Sequence, residues 1–447
     1  MPAHWPWMRA NATWQTLTSA RSRRRWSWRT TTSISTMRMC RKNPTTPSNT
    51  TIKGEAMRIY FRGSTTKNSV GYACGETMTF DLQLVKDGEP IGCPKFKWEL
   101  FADDGQASDG IMDGTDGHFV LDTTISVPGF VRLIVRACDE AGEPLEGYDK
   151  FEGGAGADID KIEQAVPVPE EYDAYWASER AAIDAFTPEL LEKVQVESDN
   201  PDFDLFDVKI SAPTKRPVSG YLSVPKNAAE KSCGAFLGFV GAGGFSAPKT
   251  YRPGQISLHL NPHGIENGRD EAYYAELKQG ELKGFGFNGE QNQRPDTCYF
   301  HDMIRRGMTA LKWLKTAPEY DGSLIDVAGG SMGAMQAVNV TANGSGIGTL
   351  TITVPWFCDI GGKEIGRQNS TWRPGYAYGL RFYDTASAAS RVSAHVKVKI
   401  ECGLGDYVCP PSGEVVLWHH FKGEKSFTFV QNMTHPYRPV ERITYDL

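Results

Sequence analysis

The feature that most constrains the fold of this chain is a glycine-flanked serine between a β-rich run and an amphipathic stretch. Residues 324–328 (LIDVA) read as a short buried strand, and residues 335–340 (MQAVNV) read as the first turns of a helix. Ser331 stands between them, with Gly329 two residues before it and Gly333 two residues after it. Such a turn strains the serine backbone, tolerates only small neighbours and points the hydroxyl outward. The pattern predicts a nucleophilic serine.

Two further residues follow later strands in the order that serine hydrolysis needs. Residues 396–402 (VKVKIEC) alternate as a strand, and Asp406 follows in a tight loop; residues 426–430 (SFTFV) form the next strand and lead to His435. The chain order nucleophile, acid, base is that of the α/β-hydrolases. The 29 residues from Asp406 to His435 leave room for one helix and one strand. We predict that Ser331 attacks, that His435 carries its proton and that Asp406 orients the imidazole.

Motifs from about Val166 to the C terminus are similar to those of one known family. They are residues 167–176 (PVPEEYDAYW), 299–321, 354–359 (VPWFCD), 382–384 (FYD) with Ala389, and 403–411 (GLGDYVCPP). The last of these is the most specific. On these motifs the chain resembles the acetyl xylan esterase and cephalosporin C deacetylase family, carbohydrate esterase family seven. The resemblance implies an α/β-hydrolase fold and an acetylated carbohydrate substrate, from which the enzyme removes acetyl groups.

The resemblance also implies which groups surround the serine. Met332 replaces the glutamine usual in the family, but the oxyanion contact uses its backbone N–H, which is kept. The second donor is predicted at Ala242, in the turn 241–244 that follows a strand over 236–240. Pro436 replaces the usual glutamate after the histidine, and this departure concerns the substrate range rather than the reaction. The candidate residues of the substrate pocket are Trp356, Phe357 and Tyr437.

A different pattern precedes this region. Residues 57–150 contain short alternating runs separated by turns: 78–85 (MTFDLQLV), 96–101 (FKWELF), 118–121 (HFVL) and 130–137 (FVRLIVRA), with a hairpin signal at 86–90. This spacing predicts an all-β immunoglobulin-like sandwich. The glycine-rich residues 151–165 are predicted to be a linker, and residues 166–447 the esterase domain.

Residues 1–56 differ in charge from the rest. They hold ten Lys or Arg and one acid, a net charge of +9. Since the whole chain carries −6, the remaining residues carry −6 − 9 = −15. The basic run 21–29 has no helical period, and we predict a disordered extension rather than a site for nucleic acid or a membrane surface. A biological start at Met57, with a non-native extension, stays open. Because no signal peptide or membrane span is recognisable, we predict a cytoplasmic protein, with secretion left open if the N terminus is not native.

The spacing of the cysteines does not indicate a metal site. The nine cysteines are scattered without a C-x-x-C motif, which argues against a disulfide scaffold or a zinc site. Serine hydrolysis requires no cofactor, and we predict none. Nucleic-acid and membrane partners are not expected, whereas homo-oligomerisation stays open.

The predicted function is a serine esterase that removes acetyl or other small acyl groups from carbohydrate hydroxyls. One alternative is a feruloyl or general carboxylesterase with a larger acyl pocket. An alternative from another class is a non-catalytic hydrolase-like module that binds glycans.

Overall fold

The computed structural model describes residues 58–243, 245–368 and 372–447. The predicted basic extension therefore lies outside the described residues, which all belong to a single unit. No helix in these ranges combines the length and the hydropathy of a membrane span.

Two four-stranded antiparallel sheets occupy residues 59–157. Their strands are β1 (Ile59–Thr65), β2 (Met78–Lys86), β3 (Glu89–Pro90), β4 (Lys95–Ala102), β5 (Ala107–Asp113), β6 (His118–Thr123), β7 (Gly129–Cys138) and β8 (Phe151–Ala157). One sheet contains β1, β2, β3 and β6, and the other has the order β5-β4-β7-β8. Alternate residues of β2, namely Phe80, Leu82 and Leu84, are fully buried and pack in a core shared with the facing sheet. The rings of Phe61 and Phe96 meet across it at 5.6 Å.

The predicted linker needs correction at its start, because residues 151–157 form strand β8. All seven residues are buried, and the strand pairs antiparallel with β7. Covered on both faces and rich in glycine and alanine, β8 shows no polar-apolar alternation, so no strand could be recognised from its sequence pattern. A Cβ at Gly153 would lie 2.1 Å from Oε1 of Gln431, and one at Gly154 would lie 3.0 Å from the carbonyl oxygen of Leu404. Glycine is needed because another segment approaches this strand closely.

A ten-stranded mixed sheet forms the core of the remaining chain. Its strands are β9 (Leu190–Val196), β10 (Phe203–Ile210), β11 (Val218–Pro225), β12 (Gly234–Phe239), β13 (Gln255–Leu260), β14 (Ile325–Gly330), β15 (Ile347–Thr353), β16 (Lys397–Gly403), β17 (Lys425–Val430) and β18 (Thr444–Asp446). The order is β18-β17-β16-β15-β14-β12-β13-β11-β10-β9. The strands from β12 to β17 run parallel, and β9, β10, β11 and β18 pair antiparallel.

One helix precedes β9, and the other helices lie in the connections between successive parallel strands from β13 to β17. The helices are α1 (Tyr172–Ala185), α2 (Glu271–Gln279), α3 (Tyr299–Leu314), α4 (Met332–Asn343), α5 (Thr385–Ala389) and α6 (Pro411–His420). Eleven of the twelve residues of α4 are buried, so this helix lies inside the domain rather than on its surface. The strands predicted before Ser331, Asp406 and His435 correspond to β14, β16 and β17, with ends shifted by at most two residues.

Candidate active site

The turn between β14 and α4 holds Ser331 in a strained backbone conformation, with φ 56° and ψ −126°. A Cβ at Gly329 would lie 2.2 Å from the carbonyl oxygen of Gly333, and a Cβ at Gly333 would lie 2.3 Å from that of Phe239. Both positions therefore exclude any larger residue. The N–H of Ser331 donates to the carbonyl of Thr353 at 3.0 Å, which ties the turn to the end of β15.

His435 and Asp406 form a hydrogen-bonded pair. Nδ1 of His435 lies 2.9 Å from Oδ2 of Asp406, and the carboxylate is completely buried. Its other oxygen accepts the N–H groups of Val408 and Cys409, each at 3.0 Å. The acid therefore has a fixed orientation, and the imidazole is held by one ring nitrogen, which leaves the other for chemistry.

Sheet topology places these groups at one edge. Ser331, Asp406 and His435 follow β14, β16 and β17, which belong to the same parallel part of the sheet. The carboxyl ends of parallel strands meet at a single edge, which is where open α/β sheets bind their ligands.

Asp359 follows β15 at this edge and is the other carboxylate that could serve as the acid. Its Oδ1 accepts the N–H of Ala165 at 2.8 Å, and its Oδ2 accepts from Nη1 of Arg367 at 2.7 Å. Burial raises the pKa of this carboxyl. Both oxygens are engaged with partners other than His435, which favours a structural role.

The two predicted oxyanion donors lie close to the serine in the fold. Met332 is the first residue of α4, and an N–H in a first helical turn has no intrahelical acceptor. Ala242 lies in the turn after β12. A Cβ added at the preceding residue, Gly241, would lie 3.4 Å from Cβ of Ser331. The turn with Ala242 therefore approaches the serine from the next strand of the sheet.

Two of the three candidate pocket residues lie next to the serine turn. The N–H of Trp356 donates to the carbonyl of Ser331 at 3.2 Å. Its ring stacks on Phe357, with centroids 4.6 Å apart, and both side chains are buried. These residues, together with Val408 and Cys409, border a cavity of only about 10 Å³.

Tyr437, the third candidate, follows His435 by two residues. Its hydroxyl donates to Oδ2 of Asp149 at 3.2 Å. Asp149 lies two residues before the first residue of β8. Burial raises the pKa of Tyr437 to about 12, and the nearby charge of Asp149 acts in the same direction.

The sequence analysis missed the contribution of β8 to the histidine loop. Gln431 accepts from the N–H of Gly154 and donates to its carbonyl, both at 3.0 Å. Oδ1 of Asn432 accepts the N–H of Glu152 at 2.9 Å. Gln431 and Asn432 thus fix the segment leading to His435 against the first domain. The glycines of β8 were the available sequence signal for a close approach by another segment. Because the sequence does not show which segment approaches, they were interpreted as a linker.

Among the described residues, one group brings together three side chains that could ligate a metal: Asp406, Cys409 and His435, within 4.8 Å of one another. Burial, and then the charge of Asp406, raise the pKa of the Cys409 thiol well above its ordinary value. Metals bind the thiolate, which is therefore disfavoured here. The predicted lack of a metal requirement stays a prediction.

Comparisons with known proteins agree on one family. The family description "Acetyl xylan esterase (AXE1)" matches residues 157–363. Acetyl esterase Axe7A of Xylanibacter ruminicola is 22% identical over 370 residues, covering 78% of this chain and 80% of that protein. The crystal structure of acetyl xylan esterase 1 from Thermoanaerobacterium sp. superposes with a TM-score of 0.50 at 17% identity, covering 63% of this chain and 93% of the other.

Sheet order, serine turn and structural likeness define an α/β-hydrolase, as the sequence predicted, and the protein is a carboxylic ester hydrolase. The alternative of a non-catalytic binding module is not favoured. The comparisons also support the family named from the sequence: residues 157–363 match the acetyl xylan esterase description, and the curated relative is an acetyl esterase.

Proposed function

We propose that the protein removes acetyl groups from the hydroxyls of xylan, with Ser331, His435 and Asp406 as its catalytic triad. The observation that carries this assignment is the His435–Asp406 pair, held at 2.9 Å at the same sheet edge as the strained serine turn. The match to the acetyl xylan esterase family and the similarity to an acetyl esterase support an acetylated carbohydrate as substrate.

Each group has a defined task in this mechanism. Ser331 Oγ attacks the acetyl carbonyl, and Nε2 of His435 takes the hydroxyl proton. The oxyanion accepts hydrogen bonds from the N–H groups of Met332 and Ala242. The C–O bond to the sugar then breaks, His435 gives its proton to the departing alcohol, and the acetyl group stays on Ser331. Water activated by His435 releases acetate and restores the serine. Asp406 keeps the imidazole in the correct tautomer throughout.

The buried aromatic residues beside the serine turn support a small acyl group. The stacked, buried rings of Trp356 and Phe357 would have to move for an aromatic acyl group to enter. This favours acetate over ferulate. A series of p-nitrophenyl acetate, p-nitrophenyl butyrate and methyl ferulate tests it: kcat/KM should fall along the series, and a preference for ferulate would contradict the assignment.

Replacement of the nucleophile tests the triad. We expect Ser331→Ala to lower kcat for p-nitrophenyl acetate by about 10⁴-fold or more, because the triad acts as a unit. Ser323→Ala is the matched control, since Ser323 is exposed before the other end of β14. Both proteins should unfold at the wild-type temperature within a few degrees. Substantial turnover by Ser331→Ala, above any wild-type contaminant, would place the nucleophile elsewhere.

The remaining predictions from sequence extend the proposal. The domain boundaries place a sandwich ahead of a hydrolase that starts at about residue 166; most buried apolar residues of the sandwich form a core of their own, which supports this division, although Val70 and Phe130 pack in the hydrolase core. We also propose a cytoplasmic location without nucleic-acid or membrane partners, and cell fractionation tests the location. Light scattering of the purified protein decides whether it forms homo-oligomers.

A further inference from the structure

A cavity of about 440 Å³ lies beside His435 and has walls from both parts of the chain. The hydrolase contributes the loops with Tyr407 and with His435 and Tyr437, and the sandwich contributes residues at and before the start of β8. Ligand pockets for small molecules span about 300–1,000 Å³, so this volume suits a ligand of one to a few sugar rings. The small space beside Trp356 cannot hold such a group, so the two cavities differ in what they can accept.

Direct contacts hold the sandwich side of this cavity in place. Asp149 forms an ion pair with Arg58 at 2.6 Å and accepts the hydroxyl of Tyr437. Arg132 on β7 donates from Nε to Glu152 at 2.9 Å, and its guanidinium lies 4.4 Å from the ring centre of Tyr407. The wall is thus anchored to Tyr407 and Tyr437, two hydrolase residues that line the same cavity as His435.

The lining indicates a neutral polyhydroxy ligand. Cationic Arg132 and Lys150 alternate with anionic Asp149 and Glu152, so the sandwich wall has no excess charge that would select an ion. Such side chains donate and accept hydrogen bonds readily, which suits hydroxyl groups. The rings of Tyr148, Tyr407 and Tyr437 add aromatic surface with a polar tip, on which a sugar ring can pack.

The position of the cavity identifies which part of the substrate it receives. In acyl transfer by serine, the histidine gives its proton to the leaving alcohol, which must therefore lie next to the imidazole. His435 and Asp406 line this cavity and Ser331 does not, so the cavity lies beside the catalytic pair, where the sugar and not the acyl group would be placed. We infer that the cavity is the sugar-binding subsite for the xylan chain whose acetyl group is removed, and that the sandwich supplies part of the substrate site. This inference rests on the proposed function and adds the binding of the sugar to it.

Variants on the sandwich wall test the subsite. Lys150 is partly exposed, so Lys150→Ala is expected to fold normally. We expect it to lower the ratio of kcat/KM for acetylated xylotetraose to kcat/KM for p-nitrophenyl acetate by about tenfold, the effect of one lost charged hydrogen bond. Tyr148→Ala should lower the same ratio. Lys97→Ala, on the exposed side of β4, is the matched control and should keep the ratio within twofold. A ratio unchanged in both wall variants would overturn the inference.

A binding measurement separates this inference from the proposed function. Titration calorimetry with deacetylated xylotetraose is carried out on Ser331→Ala and on the double variant that adds Lys150→Ala. We expect binding to the first protein and at least tenfold weaker binding to the second. This result would support the subsite even if p-nitrophenyl acetate were not hydrolysed by the wild type, which would contradict the proposed function alone. Equal affinities would refute the subsite even if hydrolysis is fast.

Discussion

At the scale of single residues, the role of each carboxylate depends on what its two oxygens contact. Asp406 and Asp359 both follow parallel strands at the same sheet edge, and sequence position alone does not separate them. The structure gives Asp406 a histidine and Asp359 an arginine. The sequence could predict Asp406 because the Cys-Pro-Pro loop marks it. It could not predict Tyr148 or Lys150 beside His435, since they are nearly 300 residues away in the chain and no local pattern joins them.

The two aspartates should respond differently to the same substitution. We expect Asp406→Asn to fold and to lower kcat for p-nitrophenyl acetate by about 10⁴-fold, because an amide holds the wrong imidazole tautomer and cannot stabilise the imidazolium. Asp359→Asn should keep kcat within about tenfold but lose about 1–3 kcal/mol of stability, since it weakens the charged hydrogen bond to Arg367. Kinetics and urea unfolding of both variants measure this. Loss of turnover in a well-folded Asp359→Asn, with Asp406→Asn active, would reverse the assignment.

Glu414 is a further buried carboxyl, on α6 close to Asp406 and Cys402. Burial, and next the charge of Asp406, raise its pKa well above the ordinary 4.5. Below pH 4.5 the carboxyl is protonated in both folded and unfolded chains. As the pH rises above 4.5, only the unfolded chain ionises, so stability falls by about 1.4 kcal/mol per pH unit until the folded pKa is reached. Glu414→Gln lacks this loss. The melting temperature of the variant should therefore exceed that of the wild type by an amount that grows with pH, whereas a constant difference would contradict the argument.

At the scale of elements, strands that end in functional loops were predictable and the strand without alternation was not. β14 buries Ile325 and Val327, and β16 and β17 alternate exposed or partly exposed residues with buried Val, Ile and Phe. These patterns can be read directly from the sequence. β8 consists mainly of glycine and alanine, and its formation depends on pairing with β7 and on contacts with the loop after β17. Those tertiary contacts decide its structure, and a local pattern cannot contain them.

The serine turn predicts a strong effect of a single methyl group. In Gly333→Ala the new Cβ would meet the carbonyl oxygen of Phe239 at 2.3 Å, and this atom is backbone in the central strand β12. The turn must shift, at a cost of about 1–3 kcal/mol, and activity should fall because Ser331 moves with it. Gly289→Ala is the control, since its Cβ would have no heavy atom within 4 Å. Unfolding by urea and kcat for p-nitrophenyl acetate measure both effects; a fully active, fully stable Gly333→Ala would argue against the packing described.

At the scale of the whole molecule, the two ends of the described chain are joined by side chains. Tyr60 and Arg62 of β1 both donate to Glu441, at 2.6–2.9 Å. Nε2 of Gln431 donates to Ser64 at 2.9 Å. The sandwich and the last part of the hydrolase therefore stabilise one another, and the histidine loop depends on both.

Truncations should distinguish the two N-terminal segments. A chain that begins at Met57 is expected to keep the melting temperature and kcat/KM for p-nitrophenyl acetate of the full chain, because basic, aperiodic residues bury little apolar surface. A chain that begins at Val166 should lose activity, because Gln431 and Asn432 then lack their partners on β8. Thermal unfolding and the esterase assay measure both. Aggregation of the first chain, or full activity of the second, would show that these roles are misassigned.

The hydrogen bonds between β1 and Glu441 have a consequence for co-translational folding. Tyr60 and Glu441 are 381 residues apart in the chain. At about 5–20 residues per second, roughly 20–75 s pass between the synthesis of the one and of the other. The sandwich is therefore synthesised well before the segment that covers one of its faces. The polar side chains of Ser64 and Arg62 on that face reduce its exposed apolar surface during this interval. Hydrolysis can begin only when the segment bearing His435 has emerged and docked, so an incomplete chain cannot act on its substrate.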